Sequence, residues 1–184
     1  VPRFLGTELE RIAPNAARFH VLPVPYEKTV SYGGGTARGP AAILAASGQL
    51  ERWDGASDPG AEGIYTWPAI DCRGKAEKVI AAIAGAVAKI LRLGGMPVVL
   101  GGEHTVTWGV VQGYLEAGVR DFGVVQIDAH ADLRDRYEVG QRPPGRDASD
   151  GACHTRRASS GCRQPSPRWP NGAQGLPRPT AVEL

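Results

Sequence analysis

KAEKVIAAIAGAVAKILRLGGMPVVL, residues 75–100, decides the fold of this chain. Apolar residues recur at helical spacing in its first part: Val79, Ile80, Ile83, Val87, Ile90 and Leu91. The spacing predicts a helix over 75–93, stopped by Gly94-Gly95 in the manner of a glycine C-terminal cap. Residues 96–100 are then short and wholly apolar, as expected of a parallel strand buried on both faces.

The same grammar extends both ways. Residues 18–25 read as a first strand that ends at its prolines, and 26–38 as a polar, glycine-rich loop. Gly39-Pro40 opens a helix, since proline is tolerated at the first helical position, and that helix is expected to end near Trp53-Asp54-Gly55. Residues 56–70 look irregular, with a short strand at 63–67. Thr105 is expected to cap a helix running to about residue 117, with Gly118 as its stop. Residues 122–127 are expected to form the next buried strand. Strand and helix alternate with short turns, which predicts a three-layer α-β-α domain with a mainly parallel sheet.

The bulk numbers narrow the function. A length of 184 residues suffices for one domain with a real core, and a net charge of +2 gives no reason to expect nucleic acid or a membrane surface as partner. The three cysteines, Cys72, Cys153 and Cys162, form no CxxC pair, which predicts neither a disulfide framework nor a zinc ribbon and points to a reducing cytoplasm. The residues around 79–93 are interrupted by Lys89 and Arg92, so no membrane span is expected. The N-terminus lacks both a signal-peptide pattern and a starting methionine, as expected of a fragment or of an alternative start codon.

Asp128-Ala-His130-Ala-Asp132 carries the chemistry. On an extended segment, residues at i, i+2 and i+4 share one face, so one peptide can deliver two carboxylates and an imidazole to a single spot. That donor mixture suits Mn²⁺, with Zn²⁺, Fe²⁺ or Co²⁺ as competitors. His104, after the strand at 96–100, is a further candidate ligand. Ligands of open parallel sheets sit at the carboxyl ends of the strands, where both motifs fall. If the two strands are neighbours, the motifs meet. Asp128 could then bridge two ions, with His130 on one and His104 and Asp132 on the other. Paired divalent ions acidify a shared water and polarise an electrophile beside it. The implied reaction is metal-assisted hydrolysis of an unreactive C–N or P–O bond.

Other candidates read as structural. His20, inside the first strand, is expected to be a satisfied core or surface histidine, and Glu103 a supporting residue. Gly33-Gly34-Gly35 lacks the Lys-Ser/Thr of a phosphate loop. Arg134, Asp135 and Arg136 read as a solvated charge run, and His154 receives no role.

Gly101-Gly-Glu-His104-Thr-Val-Thr107, followed by Ile127-Asp-Ala-His-Ala-Asp132-Leu-Arg-Asp135, resembles the ureohydrolase family of arginase and agmatinase. Pro23-Val-Pro-Tyr-Glu-Lys-Thr-Val-Ser-Tyr-Gly-Gly-Gly-Thr36, with Gly39-Pro-Ala-Ala-Ile43 and Ala46-Ser47, is similar to its agmatinase branch. The resemblance implies a three-layer fold, two Mn²⁺ ions and a metal-bridging hydroxide. It implies hydrolysis of a small guanidinium substrate, agmatine giving putrescine and urea in polyamine biosynthesis. Arginase, guanidinobutyrase, guanidinopropionase and formimidoylglutamase activities remain open. It further implies that His104, Asp128 and Asp132 bind the first ion, and that Asp128 bridges to the second, held by His130. Trimers or hexamers are common in the family.

The resemblance spans roughly residues 3–138, the N-terminal part of an arginase-like domain (1–138). Residues 139–184 differ in character, holding seven prolines and seven arginines but only four residues from Ile, Leu, Val, Phe and Met. Such a segment is expected to be disordered, and its composition break predicts an out-of-frame tail. The family's later Ser-x-Asp-x-Asp-x-x-Asp-Pro segment, its Ser-His-Ala histidine and its downstream glutamate have no counterpart in 139–184. The fold is therefore expected to be incomplete on its C-terminal side, with an exposed sheet edge. The chain as written is expected to be inactive or nearly so. A non-catalytic ureohydrolase-like remnant is the alternative reading, and an unrelated metallohydrolase a third.

Overall fold

The computed structural model describes residues 2–30 and 32–129. Strand β1 (Phe19–Val24) pairs in parallel with β2 (Ile64–Thr66) on one side and β3 (Met96–Gly101) on the other. Between them lie helices α1 (Gly39–Ala46) and α2 (Ala76–Arg92), and α3 (Thr105–Glu116) follows β3. The order β2-β1-β3 means that the chain leaves β1 in one direction and returns across it in the other. Right-handed crossovers of opposite direction place their helices on opposite faces of the sheet. The point of reversal lies between β1 and β3, where open sheets of this class leave a crevice at their carboxyl ends.

The core follows from strand alternation. Leu22 and Val24 face Val79, Ile83, Val87 and Ile90 of α2 and Val106 and Tyr114 of α3. Val21 and Pro23 point to the other face and are also buried, so β1 is covered on both sides. Pro23 is tolerated in this central strand because its carbonyl points to the β2 side, accepting from Ile70 N at 2.9 Å. Its missing N–H therefore falls where β2 has already ended, and the ladder to β3 loses nothing.

The glycine stops work as expected. Gly94 adopts φ 79°, and the amides of Gly94 and Gly95 donate to Leu91 O and Ile90 O at 3.0 and 3.1 Å. Gly118 repeats the pattern at φ 86°, with Gly118 and Val119 donating to Leu115 O and Tyr114 O, both at 3.0 Å. Both are the paired hydrogen bonds of a Schellman motif, which the left-handed glycine makes possible.

Three expectations are corrected. α1 ends at Ala46 and passes into a 3-10 turn (Ser47–Gln49), well before Trp53. The turn is fixed by buried Ser47, whose hydroxyl donates to Leu44 O and accepts from Leu5 N. Thr105 is the first residue of α3 and does not cap it, because its hydroxyl donates to Glu103 Oε1 at 2.8 Å instead. Residues 122–127 do not join the sheet, which has three strands among the described residues. Val124, Val125 and Ile127 are 54%, 69% and 72% exposed. A wholly apolar strand is stable only when both faces are covered, and no described element covers these residues.

His20 is fully buried, as a core histidine. Trp67 Nε1–H donates to its Nδ1 at 3.0 Å, so Nε2 carries the proton and donates to Ala17 O at 3.2 Å. Burial pushes its pKa below the ordinary 6.5, against the opposing pull of the Ala17 carbonyl. Because the unfolded chain then binds the proton more readily, stability is complete above about pH 6.5 and falls as the pH drops toward the folded-state value. The expected slope approaches about 1.4 kcal/mol per pH unit at most. Urea midpoints from pH 8 to pH 5, compared with those of His20→Gln, measure it. Identical profiles for the two proteins would remove His20 as the cause.

Candidate metal centre

β1 and β3 end side by side, and the loops that follow them are joined by one carboxylate. Glu103 Oε2 accepts from the backbone amides of Lys28 and Thr29 at 2.8 and 2.7 Å. Its Oε1 accepts from the hydroxyls of Thr29 and Thr105 at 2.5 and 2.8 Å. Its own amide donates to Tyr26 O at 3.1 Å. Burial is the largest single influence on the Glu103 carboxyl and raises its pKa, but the four hydrogen bonds together outweigh it and hold the group ionised.

A second carboxylate orders the glycine-rich loop. Glu27 accepts from Gly35 N, Ala37 N and the Thr36 hydroxyl, at 2.7–2.9 Å. The Ala37 and Gly35 amides and the Thr36 hydroxyl lower its pKa in that order. These amides already hold an internal anion, so the loop is not a phosphate cradle. Tyr32, near its tip, is 99% exposed. Sequence reading assigned Glu27 nothing, because a carboxylate eight residues before a glycine has no signature of its own.

His104 stands at the N-cap of α3, immediately after this clasp. Phe122 packs on Tyr114, with ring centroids 5.4 Å apart, and from there the chain runs back toward the carboxyl end of β3. Asp128 arrives beside His104, with His104 Nε2 3.4 Å from Asp128 Oδ2. The Asp128 side chain is 19% exposed and that of His104 70%. The two motifs thus meet although residues 122–127 are unpaired with the sheet. His130 and Asp132, like Arg134, Asp135, Arg136 and His154, lie outside the described residues.

The donor chemistry fits a divalent ion. Two ligands each about 2.1 Å from one ion, at octahedral or tetrahedral angles, are separated by about 3.0–3.4 Å. The His104–Asp128 separation falls in that range. Among the described residues no group of three or more His, Cys, Asp or Glu is clustered for a metal.

A family model described as the arginase family matches residues 17–176. The N(1)-aminopropylagmatine ureohydrolase of Synechocystis sp. is 39% identical over 126 residues, which are 64% of this chain and 41% of the relative. The agmatinase of Bacillus anthracis is 35% identical over 121 residues, again 64% and 41%. The crystal structure of the agmatine ureohydrolase of Thermoplasma volcanium aligns with a TM-score of 0.62 at 25% identity, covering 77% of this chain and 47% of that one. The chain therefore spans about two fifths of the length of the curated relatives it matches.

Proposed function

This chain belongs to the arginase family, and on that footing we propose that it is part of a ureohydrolase that cleaves agmatine, or a close guanidinium analogue, to urea and an amine. What supports the reading is the approach of His104 to Asp128 at the point where the sheet order reverses. Relatives named agmatinase and N(1)-aminopropylagmatine ureohydrolase favour a guanidinium at the end of an aliphatic amine. In this proposal His104, Asp128 and Asp132 hold one Mn²⁺, and Asp128 and His130 a second. Bound there, the ions supply Lewis-acid activation of water at neutral pH.

The residues of the chain do the positioning. Asp128, whose side chain is 19% exposed, offers a carboxylate that can serve both ions, and His104 offers an imidazole from the start of α3. The loop at 26–36, tied down by Glu27 and Glu103, borders the same crevice and is the proposed wall for the substrate's aliphatic portion. Among the described residues no helix is long and apolar enough to cross a membrane. A cytoplasmic location belongs to the same proposal.

A second reading has its own support: 139–184 offers no Ser-x-Asp-x-Asp segment of the family type. On that reading the 184-residue chain is a weak metal binder without turnover. Equilibrium Mn²⁺ counting separates the two. Two tightly held ions and release of urea from agmatine support an enzyme, whereas none or one weakly held ion supports the remnant. In either case His104→Ala and Asp128→Ala are each expected to weaken the remaining Mn²⁺ binding at least about ten-fold. Unchanged affinity in both would remove these residues as ligands.

A further inference from the structure

We infer that Glu103 is a positioning residue whose carboxylate ties the loop after β1 to the turn after β3 and so sets where His104 stands opposite Asp128. The inference rests on the proposed metal reading only for its consequence at the metal; the tie is a matter of geometry.

The two oxygens of Glu103 divide their partners. Oε2 takes the successive backbone amides of Lys28 and Thr29, which belong to the loop. Oε1 takes the hydroxyl of Thr29 and that of Thr105, the residue next to His104 and the first of α3. A single carboxylate therefore spans the crevice and fixes both of its walls. The Thr105 and Glu103 contacts flank His104 in sequence. The turn between them is closed by Val106 N donating to Glu103 O at 3.1 Å and Thr107 N donating to His104 O at 3.0 Å.

Two backbone features press the walls together at the same place. Gly102 leaves no room for a side chain against the backbone of Tyr26, and Glu103 N donates to Tyr26 O. Backbone contact holds the strand ends and closes the first turn of α3, and the Thr105 hydroxyl ties the side-chain face of that turn to the clasp. A ligand within about 0.5 Å of its working place needs supporting residues that are themselves locked.

The test uses the full 184-residue chain with Co²⁺ as probe, read by its visible absorption, and amide hydrogen exchange. Glu103→Ala is expected to speed exchange at Lys28 and Thr29 at least about ten-fold and to weaken Co²⁺ binding about ten-fold. Glu103→Gln keeps one acceptor oxygen and is expected to recover part of both. Thr105→Val removes a single hydroxyl and serves if Glu103→Ala fails to fold. It is expected to alter the Co²⁺ spectrum while exchange at Lys28 and Thr29 stays normal. Normal Co²⁺ binding and spectra in all three variants overturn the inference. His104→Ala, by contrast, should weaken Co²⁺ binding without touching exchange at Lys28 and Thr29. A wild-type chain that binds no Co²⁺ defeats the metal reading instead. The inference is then decided by the nuclear Overhauser contact between the His104 ring and the Asp128 methylene, which Glu103→Ala is expected to abolish and whose survival overturns it.

Discussion

Gly102→Ala is expected to lower the unfolding free energy of the chain by about 3 kcal/mol or more, at the upper end of what overpacking costs. The new methyl group would run into the carbonyl oxygen of Tyr26 and lie 3.0 and 3.2 Å from its carbonyl carbon and amide nitrogen. A side chain could rotate away, but this obstacle is backbone. Tyr26 is held from both directions, by its amide donating to Val24 O at 2.8 Å and its carbonyl accepting from Glu103 N at 3.1 Å. Relief requires the carboxyl ends of β1 and β3 to part, which breaks the Glu103 clasp as well. A loss of that size is a large fraction of the ~5–15 kcal/mol that holds a typical domain together. Urea unfolding followed by far-UV circular dichroism measures it, and a midpoint within error of the wild type would show that the strand ends are not tightly apposed.

Gly113→Ala and Gly85→Ala are expected to change stability in opposite directions. Alanine exceeds glycine in helix propensity by about 1 kcal/mol, and both positions lie inside helices. At Gly85 an added methyl meets nothing within 4 Å, so the propensity gain stands alone and the variant is expected to be more stable by about 1 kcal/mol. At Gly113 the methyl would lie 2.6 and 2.7 Å from Val87 Cβ and Cγ1 and 2.8 Å from Ala84 O. Gly109, one turn earlier on α3, stands equally close to Ile83, with its added Cβ 2.7 Å from Ile83 Cβ. These two glycines let α3 lie against α2 at backbone range. Forcing them apart also lifts Val87 and Ile83 from the buried cluster that contains Leu22 and Val24. The steric cost, about 2–3 kcal/mol, outweighs the propensity gain, leaving Gly113→Ala less stable by about 1–2 kcal/mol. Thermal unfolding of the two variants beside the wild type decides it. A Gly113→Ala variant at least as stable as the wild type would mean that α2 and α3 are not in backbone contact there, and a less stable Gly85→Ala would remove the propensity argument.

These cases show where the sequence could be read and where it could not. Gly85 and Gly113 look alike as letters, each a glycine inside a helical pattern. Only the neighbouring helix separates a replaceable glycine from one that sets the packing distance. The same holds for Glu27 and Glu103. Glu103 reads as a supporting residue from its place beside His104, but the amides it grips lie 74 and 75 residues earlier. Nothing local to either segment announces that pairing.

Some features were written in short-range terms and could be read directly. The helix over 75–93 follows from a 3.6-residue period, and its observed bounds are Ala76–Arg92. The glycine stops follow from the left-handed conformation that favours glycine, and both are used as such. The first and third strands follow from dense apolar runs bounded by turn residues, within a residue or so of their observed limits. Family membership was legible too: the motifs around His104 and Asp128 and the segment 23–47 carry the resemblance, and the family match spans residues 17–176.

Cover and apposition were decided by the tertiary structure. Residues 122–127 have the composition of a buried strand, yet burial depends on what lies above and below, which composition does not encode. Thr105 has the side chain of a helix cap, yet its hydroxyl turns to Glu103 because that carboxylate is fixed nearby by the loop after β1. The meeting of His104 with Asp128 required the segment after α3 to return to the carboxyl end of β3, a path set by the packing of α3 and Phe122 on the core. By itself the sequence determined what depends on neighbours along the chain: helix periods, turns and the identity of the ligand-type residues. Distances between segments remote in the chain, and the covering of apolar faces, were left to packing, since they arise only when the segments meet.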